Sequence, residues 1–195
     1  MMIAVIDYKS GNLCSVGNAL QRIGCDYRIT GDEAEICAAS HVILPGVGEA
    51  SSTMEALKNS GLDKILLGLT QPVLGICIGM QLMCRFSEEG NVQCLGLFDA
   101  VVRKLRVSGE LKVPHMGWNT ITQLHSPLTG GIAEGSYFYY VHSYAPEISR
   151  QTVAVTEYGM PFSAILQNNN FFGTQFHPEK SGAAGETLLT NFLRL

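Results

Sequence analysis

The sequence predicts an α/β protein: a three-layer sandwich of helices around a mostly parallel sheet. Three observations carry this. Short apolar runs alternate with helix-patterned stretches through residues 2–86. Those runs are near-continuous rather than alternating, the mark of strands buried on both faces, as in a parallel sheet with right-handed crossovers. From residue 100 onward the pattern changes to strands joined by turns.

The first run, Met2–Asp7, reads as a buried strand. Leu13, Val16, Leu20 and Ile23 then recur at spacings of three and four, which makes a helix that Gly24 ends. Asp26–Thr30 reads as a second strand and Asp32–Ala38 as a short helix. His41–Leu44 is a third strand, stopped by Pro45-Gly46-Val47-Gly48, and Glu49–Asn59 a helix. Pro72–Ile76 is a fourth strand, followed by a helix from Ile78 to about Phe86. In the second half Ala100–Leu105, Trp118–Leu124, Tyr137–Val141, Thr152–Tyr158, Phe162–Gln167 and Phe171–Phe176 read as strands. Asn168-Asn169-Asn170 marks a hairpin, and Ala184–Leu193 a closing helix.

At 195 residues the chain suits one domain spanning 1–195, since domains commonly run ~100–200 residues. Charged residues are only 15% against an ordinary ~25%, which excludes a solvating acidic chain and leaves an uncharged surface suited to a partner. The net charge of −4 and the lack of a basic cluster larger than Arg103-Lys104 with Arg106 argue against nucleic acid. The N-terminus has no basic leader, and no apolar run reaches the ~18 residues that cross a bilayer. The six cysteines form no CxxC pair, so the thiols read as reduced and the protein as cytoplasmic. No Cys/His spacing suggests a metal site. The GxGxxG pattern fails at Ser51, so no cofactor is expected.

The strongest chemical signal is Gly75-Ile76-Cys77-Ile78-Gly79, where a buried strand turns into a helix. A nucleophile flanked by small residues on such a turn stands exposed on a sharp, strained bend. A helix N-terminus favours thiolate over thiol, and the Ile78 N–H is placed to be half of an oxyanion hole. A bare GxCxG is as often a buried thiol in a Gly-rich turn, but the strand before and the helix after favour function here. The thiolate needs a base, and the base an orienter. In Phe176-His177-Pro178-Glu179, the proline keeps His177 extended, so His177 and Glu179 point to one side ~6.6 Å apart along the chain. A lone His-x-Glu is usually structural; this one follows a strand end, where α/β sheets place ligands. His41, His125 and His142 read as structural, as do Cys14, Cys25, Cys37, Cys84 and Cys94.

Gly75-Ile76-Cys77-Ile78-Gly79-Met80-Gln81 together with His177-Pro178-Glu179 resembles the class I glutamine amidotransferases, a flavodoxin-like fold, over the whole chain. Asp7–Leu13, Pro114–Asn119 and Gln175–Ser181 resemble the branch formed by the glutaminase subunits of imidazole glycerol phosphate synthases. The resemblance implies that Cys77 attacks the side-chain amide of glutamine, His177 moves the proton, and Glu179 holds His177. It implies glutamine contacts from Gly48, Gln81, Glu89, Ser143 and Tyr144, and oxyanion donors at Val47, Gly48 and Ile78. The loop that carries Val47 is expected to flip, since glycines on both sides let a peptide plane rotate. The implied partner is a β/α-barrel cyclase subunit that receives the ammonia in histidine biosynthesis, met as a heterodimer through Asn12, Trp118, Tyr139 and Lys180. Tyr137-Phe138-Tyr139-Tyr140 independently offers more aromatic surface than one small sheet hides, although two of the four are expected to pack inward. The alternatives are the glutaminase of another ammonia-channelling synthase, such as pyridoxal phosphate synthase, a cysteine peptidase, or a non-catalytic binding module of the same fold.

Overall fold

The computed structural model describes residues 2–8 and 13–195. Strand β1 (Met2–Ile6) leads to helix α1 (Leu13–Arg22), β2 (Asp26–Thr30), α2 (Glu33–Ala38), β3 (His41–Leu44), α3 (Ala50–Ser60), α4 (Leu62–Gly68), β4 (Val73–Ile76) and α5 (Ile78–Met83). The second half adds β5 (Cys84–Ser87), β6 (Val92–Gln93), β7 (Phe98–Lys104), β8 (His115–Thr120), β9 (Tyr137–His142) and β10 (Tyr144–Pro146). It ends with β11 (Thr152–Glu157), β12 (Pro161–Asn168), β13 (Phe171–Thr174) and α6 (Gly182–Phe192).

Seven strands form the central sheet in the order β11-β12-β13-β4-β3-β1-β2. The five from β13 to β2 are parallel, and the β11–β12 pair is antiparallel. Helices cover both sides of this mostly parallel sheet. Every residue of β3, β4 and β13 is buried, as the continuous apolar runs require. Two smaller sheets, β10-β7-β5-β6 and β8-β9, stand beside the main one.

Local chemistry sets the helix ends. Asp32 caps α2 by accepting from the Glu35 N–H at 3.0 Å, and Glu49 caps α3 by accepting from the Ser52 N–H at 3.1 Å. Gly61, in the left-handed region at φ +73°, ends α3. Helix α4 follows at once and was not legible: it has seven residues, and only Leu62 and Leu66 are buried. Helix α5 stops at Met83, short of the predicted Phe86. All six of its residues are buried, so no amphipathic period marks its end. Cys84 turns the chain extended, and Phe86 pairs with Gln93 and Val101 in a sheet the periodicity did not announce. Strand β8 begins three residues before the expected Trp118–Leu124, and Gln123, at φ +58°, lies outside it. Pairing with β9 in the register Trp118↔Tyr139 sets β8 instead. In β9, Phe138 and Tyr140 face the core while Tyr137 is exposed, so two of the four aromatics pack inward.

One close approach fixes the site's position. A Cβ added at Gly79 would stand 1.9 Å from the Leu44 carbonyl oxygen, so α5 lies directly against the end of β3. Gly79→Ala is therefore expected to destabilise the fold by about 1–3 kcal/mol, which thermal melting reads as a fall of ~2–4 °C per kcal/mol. Gly68→Ala, with nothing within 4 Å of the added carbon, is the control and should melt like the parent.

Candidate active site

Cys77 leaves β4 in a conformation that ordinary side chains avoid, φ +54° and ψ −108°. Such a residue costs of order 1–3 kcal/mol and persists only where its surroundings over-determine it. Here its N–H donates to the Thr174 carbonyl at 2.7 Å and its carbonyl accepts from the Gln81 N–H at 3.1 Å. The bend is thus tied to the end of β13 on one side and to α5 on the other. Packing against Leu44 and Met83 allows no side chain at Gly79 or Gly75. This confirms the close backbone approach expected of the flanking glycines.

His177 is extended (φ −99°, ψ 94°), as the following proline predicts, and Pro178–Lys180 form a single 3₁₀ turn. The turn brings the Glu179 carboxylate to 2.8 Å from His177 Nδ1. Both side chains are buried. Nδ1 is therefore the donor to Glu179, which leaves Nε2 as the ring nitrogen on the Cys77 side. Burial by itself lowers the imidazole pKa; hydrogen bonding and charge from Cys77 and Glu179 outweigh it and hold the ring well above its ordinary value.

These groups open on a cavity of about 300 Å³ whose lining includes Val47, Gly48, Cys77, Ile78, Gln81, Glu89, Ser143, Tyr144 and His177. All the residues expected as nucleophile, base, oxyanion donors and glutamine contacts except Glu179 are on its wall, and Glu179 sits behind His177. The wall lies at the carboxyl ends of β3, β4 and β13. Burial raises the Glu89 carboxyl, which accepts the Ala50 N–H at 3.0 Å. Freedom at residues 46–48 belongs to one glycine only. A Cβ at Gly46 would meet Ile78, Gly79 and the Tyr8 hydroxyl within 2.9 Å, whereas Gly48, at φ +118°, is open.

Two features escaped the sequence. The buried Gln175 side chain stands beside Cys77, with Nε2 3.7 Å from Sγ. The strand expected to reach Phe176 ends at Thr174, and the bend at 175–176 sets the direction of this side chain. His142, read as structural, also lines the cavity. Its Nδ1 donates to the Tyr144 carbonyl at 2.9 Å, and its Nε2 meets His115 Nδ1 at 3.0 Å. Burial pushes His115 down to about 4 and His142 to about 3, so both are neutral at pH 7. On the outside, Trp118 packs edge-on against Tyr139 at 6.0 Å, and Lys180 Nζ lies 6.0 Å from the same Tyr139 ring. Asn12, expected beside them, lies outside the described residues.

The sequence profile of the family described as glutamine amidotransferase class-I matches residues 4–195. The chain belongs to that family. Among similar glutamine amidotransferases, the imidazole glycerol phosphate synthase subunit HisH of Bacteroides fragilis (strain YCH46) is 56% identical over the full length of both chains. Subunit HisH 2 of Legionella pneumophila (strain Philadelphia 1) is 49% identical over 100% of this chain and 98% of its own. Solved structures agree on the fold. A putative GMP synthase protein from Thermoplasma acidophilum superposes with a TM-score of 0.76 at 21% identity, covering 100% of this chain and 92% of its own. A glutamine amidotransferase from Thermotoga maritima gives 0.66 at 16% identity, covering 100% and 83%.

The geometry fixes the sign of the interaction at His177. Interaction with Cys77 and Glu179 raises the His177 pKa, so removing either partner must lower it. By NMR, the His177 imidazole is expected to titrate at lower pH in Cys77→Ala and in Glu179→Gln than in the parent. A higher or unchanged midpoint would mean that the two do not hold the charge.

Proposed function

We propose that the chain is the glutaminase subunit of an imidazole glycerol phosphate synthase, a cytoplasmic enzyme of histidine biosynthesis, built as a single domain over residues 1–195. It hydrolyses L-glutamine to glutamate and passes the ammonia to a β/α-barrel cyclase subunit. The observation that carries the reading is a Cys77–His177–Glu179 set at one cavity, in a chain 56% identical end to end to a subunit of that synthase. No helix among the described residues is long and apolar enough to cross a membrane.

The chemistry follows from the atoms. The Cys77 thiol proton goes to His177 Nε2, and the sulfur attacks the glutamine side-chain carbonyl carbon. The Ile78 N–H and the 47–48 loop face the same cavity as the nucleophile, and donors aimed at the forming oxyanion are worth about 10²–10³ in turnover each. His177 returns the proton to the nitrogen, the C–N bond breaks, and ammonia leaves a thioester on Cys77. Water then attacks with His177 taking its proton; the C–S bond breaks, glutamate leaves, and His177 returns the proton to the sulfur to restore the thiol. Glu179 keeps its acceptor on Nδ1 throughout, so Nε2 does the proton work. Glutamine is held by Gly48, Gln81, Glu89, Ser143 and Tyr144 on the cavity wall.

The cyclase would dock on the face bearing Trp118, Tyr139 and Lys180. Trp118 is 55% exposed, with Met116 at 64% and Tyr137 at 61% beside it. Exposed aromatics and methionine with few charges are the composition of an interface core.

Two outcomes test this reading. Cys77→Ala should reduce glutamate release by ~10³-fold or more while melting like the parent, and Glu179→Gln should harm turnover less than His177→Ala. Retained glutamate release in Cys77→Ala would place the nucleophile elsewhere. Lys180→Glu, with partner present, should lower product made from glutamine while sparing product made from added ammonium salt. An equal loss in both, or in neither, would remove Lys180 from the ammonia-transfer interface.

A further inference from the structure

The side-chain amides beside the Cys77 sulfur form a chain of hydrogen bonds whose direction is fixed. Tyr144 offers only a carbonyl, so Gln81 Nε2 must donate to it, at 2.8 Å. The same Gln81 amide nitrogen gives its second proton to Gln175 Oε1 at 2.9 Å. That leaves the Gln175 amide one orientation, with Nε2 turned toward Cys77 Sγ at 3.7 Å. Both glutamines are essentially fully buried, at 1% and 0% exposure. Neither amide can be flipped without setting donor against donor or acceptor against acceptor.

From this we infer that Gln175 is a hydrogen-bond donor to the Cys77 sulfur and favours its ionised, nucleophilic form, with Gln81 as the clamp that aims it. The role rests on the glutaminase reading only in that Cys77 is the nucleophile. A hydrogen bond to an anion is stronger than one to its neutral form, so a fixed N–H shifts the sulfur toward thiolate. The need for such a donor is visible nearby. Besides His177, Sγ also neighbours the Val141 carbonyl oxygen at 4.0 Å, an acceptor that disfavours negative charge on sulfur. The helix after Cys77 has only six residues and is no strong source of positive potential. Gln175 is anchored for the task by its own N–H, which donates to the Ala164 carbonyl at 2.9 Å. β13 ends at Thr174 and the chain bends at residues 175–176 before the extended His177, and the Gln175 amide and the His177 imidazole both reach the sulfur.

The assignment also separates the duties of the two groups. His177 receives the thiol proton. Gln175 exchanges no proton; its amide stabilises the sulfur electron pair left behind, and again the sulfur when the thioester breaks. The titratable groups that face the sulfur or its cavity are His177 with Glu179 behind it, His142, Glu89 and Tyr144. All of them remain in place when Gln175 is replaced by an uncharged residue.

The test is the pH profile of Cys77 alkylation by iodoacetamide in the full chain, read by mass spectrometry of the Cys77 peptide. Gln175→Met keeps the side-chain length and removes the donor. It should alkylate about tenfold more slowly than the parent near pH 7 and converge with it at high pH. Gln81→Met, which only releases the clamp, should move the profile the same way by less. A merely structural role would lower melting temperature without moving the profile, so superimposable profiles for parent and Gln175→Met overturn the proposal. If Gln175→Met does not fold, the unaltered protein serves. The Gln175 side-chain amide resonances should shift as Cys77 ionises and should show no such step in Cys77→Ala; a step that survives in Cys77→Ala overturns the assignment. Neither readout uses glutamine, so failure of the glutaminase reading, seen as glutamate release by Cys77→Ala, is a separate result.

Discussion

The bend at Cys77 is the constraint around which the rest is arranged. A side chain at φ +54° following a fully buried strand is not stable by itself. It is held because Thr174 takes its N–H, α5 closes over it, and Gly79 lies against Leu44 with no room for a methyl group. Each of these partners comes from a different strand end. Fixing the nucleophile therefore also fixes β3, β4 and β13 side by side, and with them the 45–48 loop and His177. The strain and the active site are products of the same packing.

From that point the polar groups divide cleanly. One arm, His177 with Glu179, is a buried and hydrogen-bonded ionisable pair, the one that moves protons in the proposed mechanism. The other arm, Gln175 with Gln81 and the Tyr144 carbonyl, is neutral and fully oriented by hydrogen-bond direction. A buried polar network is costly when half satisfied and rigid when complete. In the second arm the atom left over is Gln81 Oε1, an acceptor on a residue of the cavity wall. His142, hydrogen-bonded to His115, donates to the same Tyr144 carbonyl, and both rings stay neutral.

Much of this was legible in the sequence, for physical reasons that differ between elements. Continuous apolar runs reported β1, β3 and β4 because strands buried on both faces have no polar side to interrupt them. The Cys77 turn was legible because only glycine fits where backbone meets backbone, and His177–Glu179 because proline and a two-residue spacing leave little choice. Helix α5 was overrun because it is buried on every side and shows no period. Strands β5, β6 and β10 were missed because they are two to four residues long, and β5 and β10 owe their form to pairing with β7. The role of Gln175 is hidden because β13 ends at Thr174 and the chain bends at 175–176, so only the folded chain shows which way that side chain turns. Gly46 and Gly48 look alike in the sequence; only tertiary contacts reveal that Ile78 and Tyr8 immobilise the first.

The central claim is that the strained Cys77 sulfur becomes covalently bound to the glutamyl group during turnover. Its most direct measurement is acid quenching of the protein during reaction with isotopically labelled glutamine, followed by peptide mapping. The account predicts label on the peptide containing Cys77, lost on incubation at neutral pH and absent in Cys77→Ser. Labelled glutamate that accumulates with no bound label, or label recovered on another peptide, would contradict it.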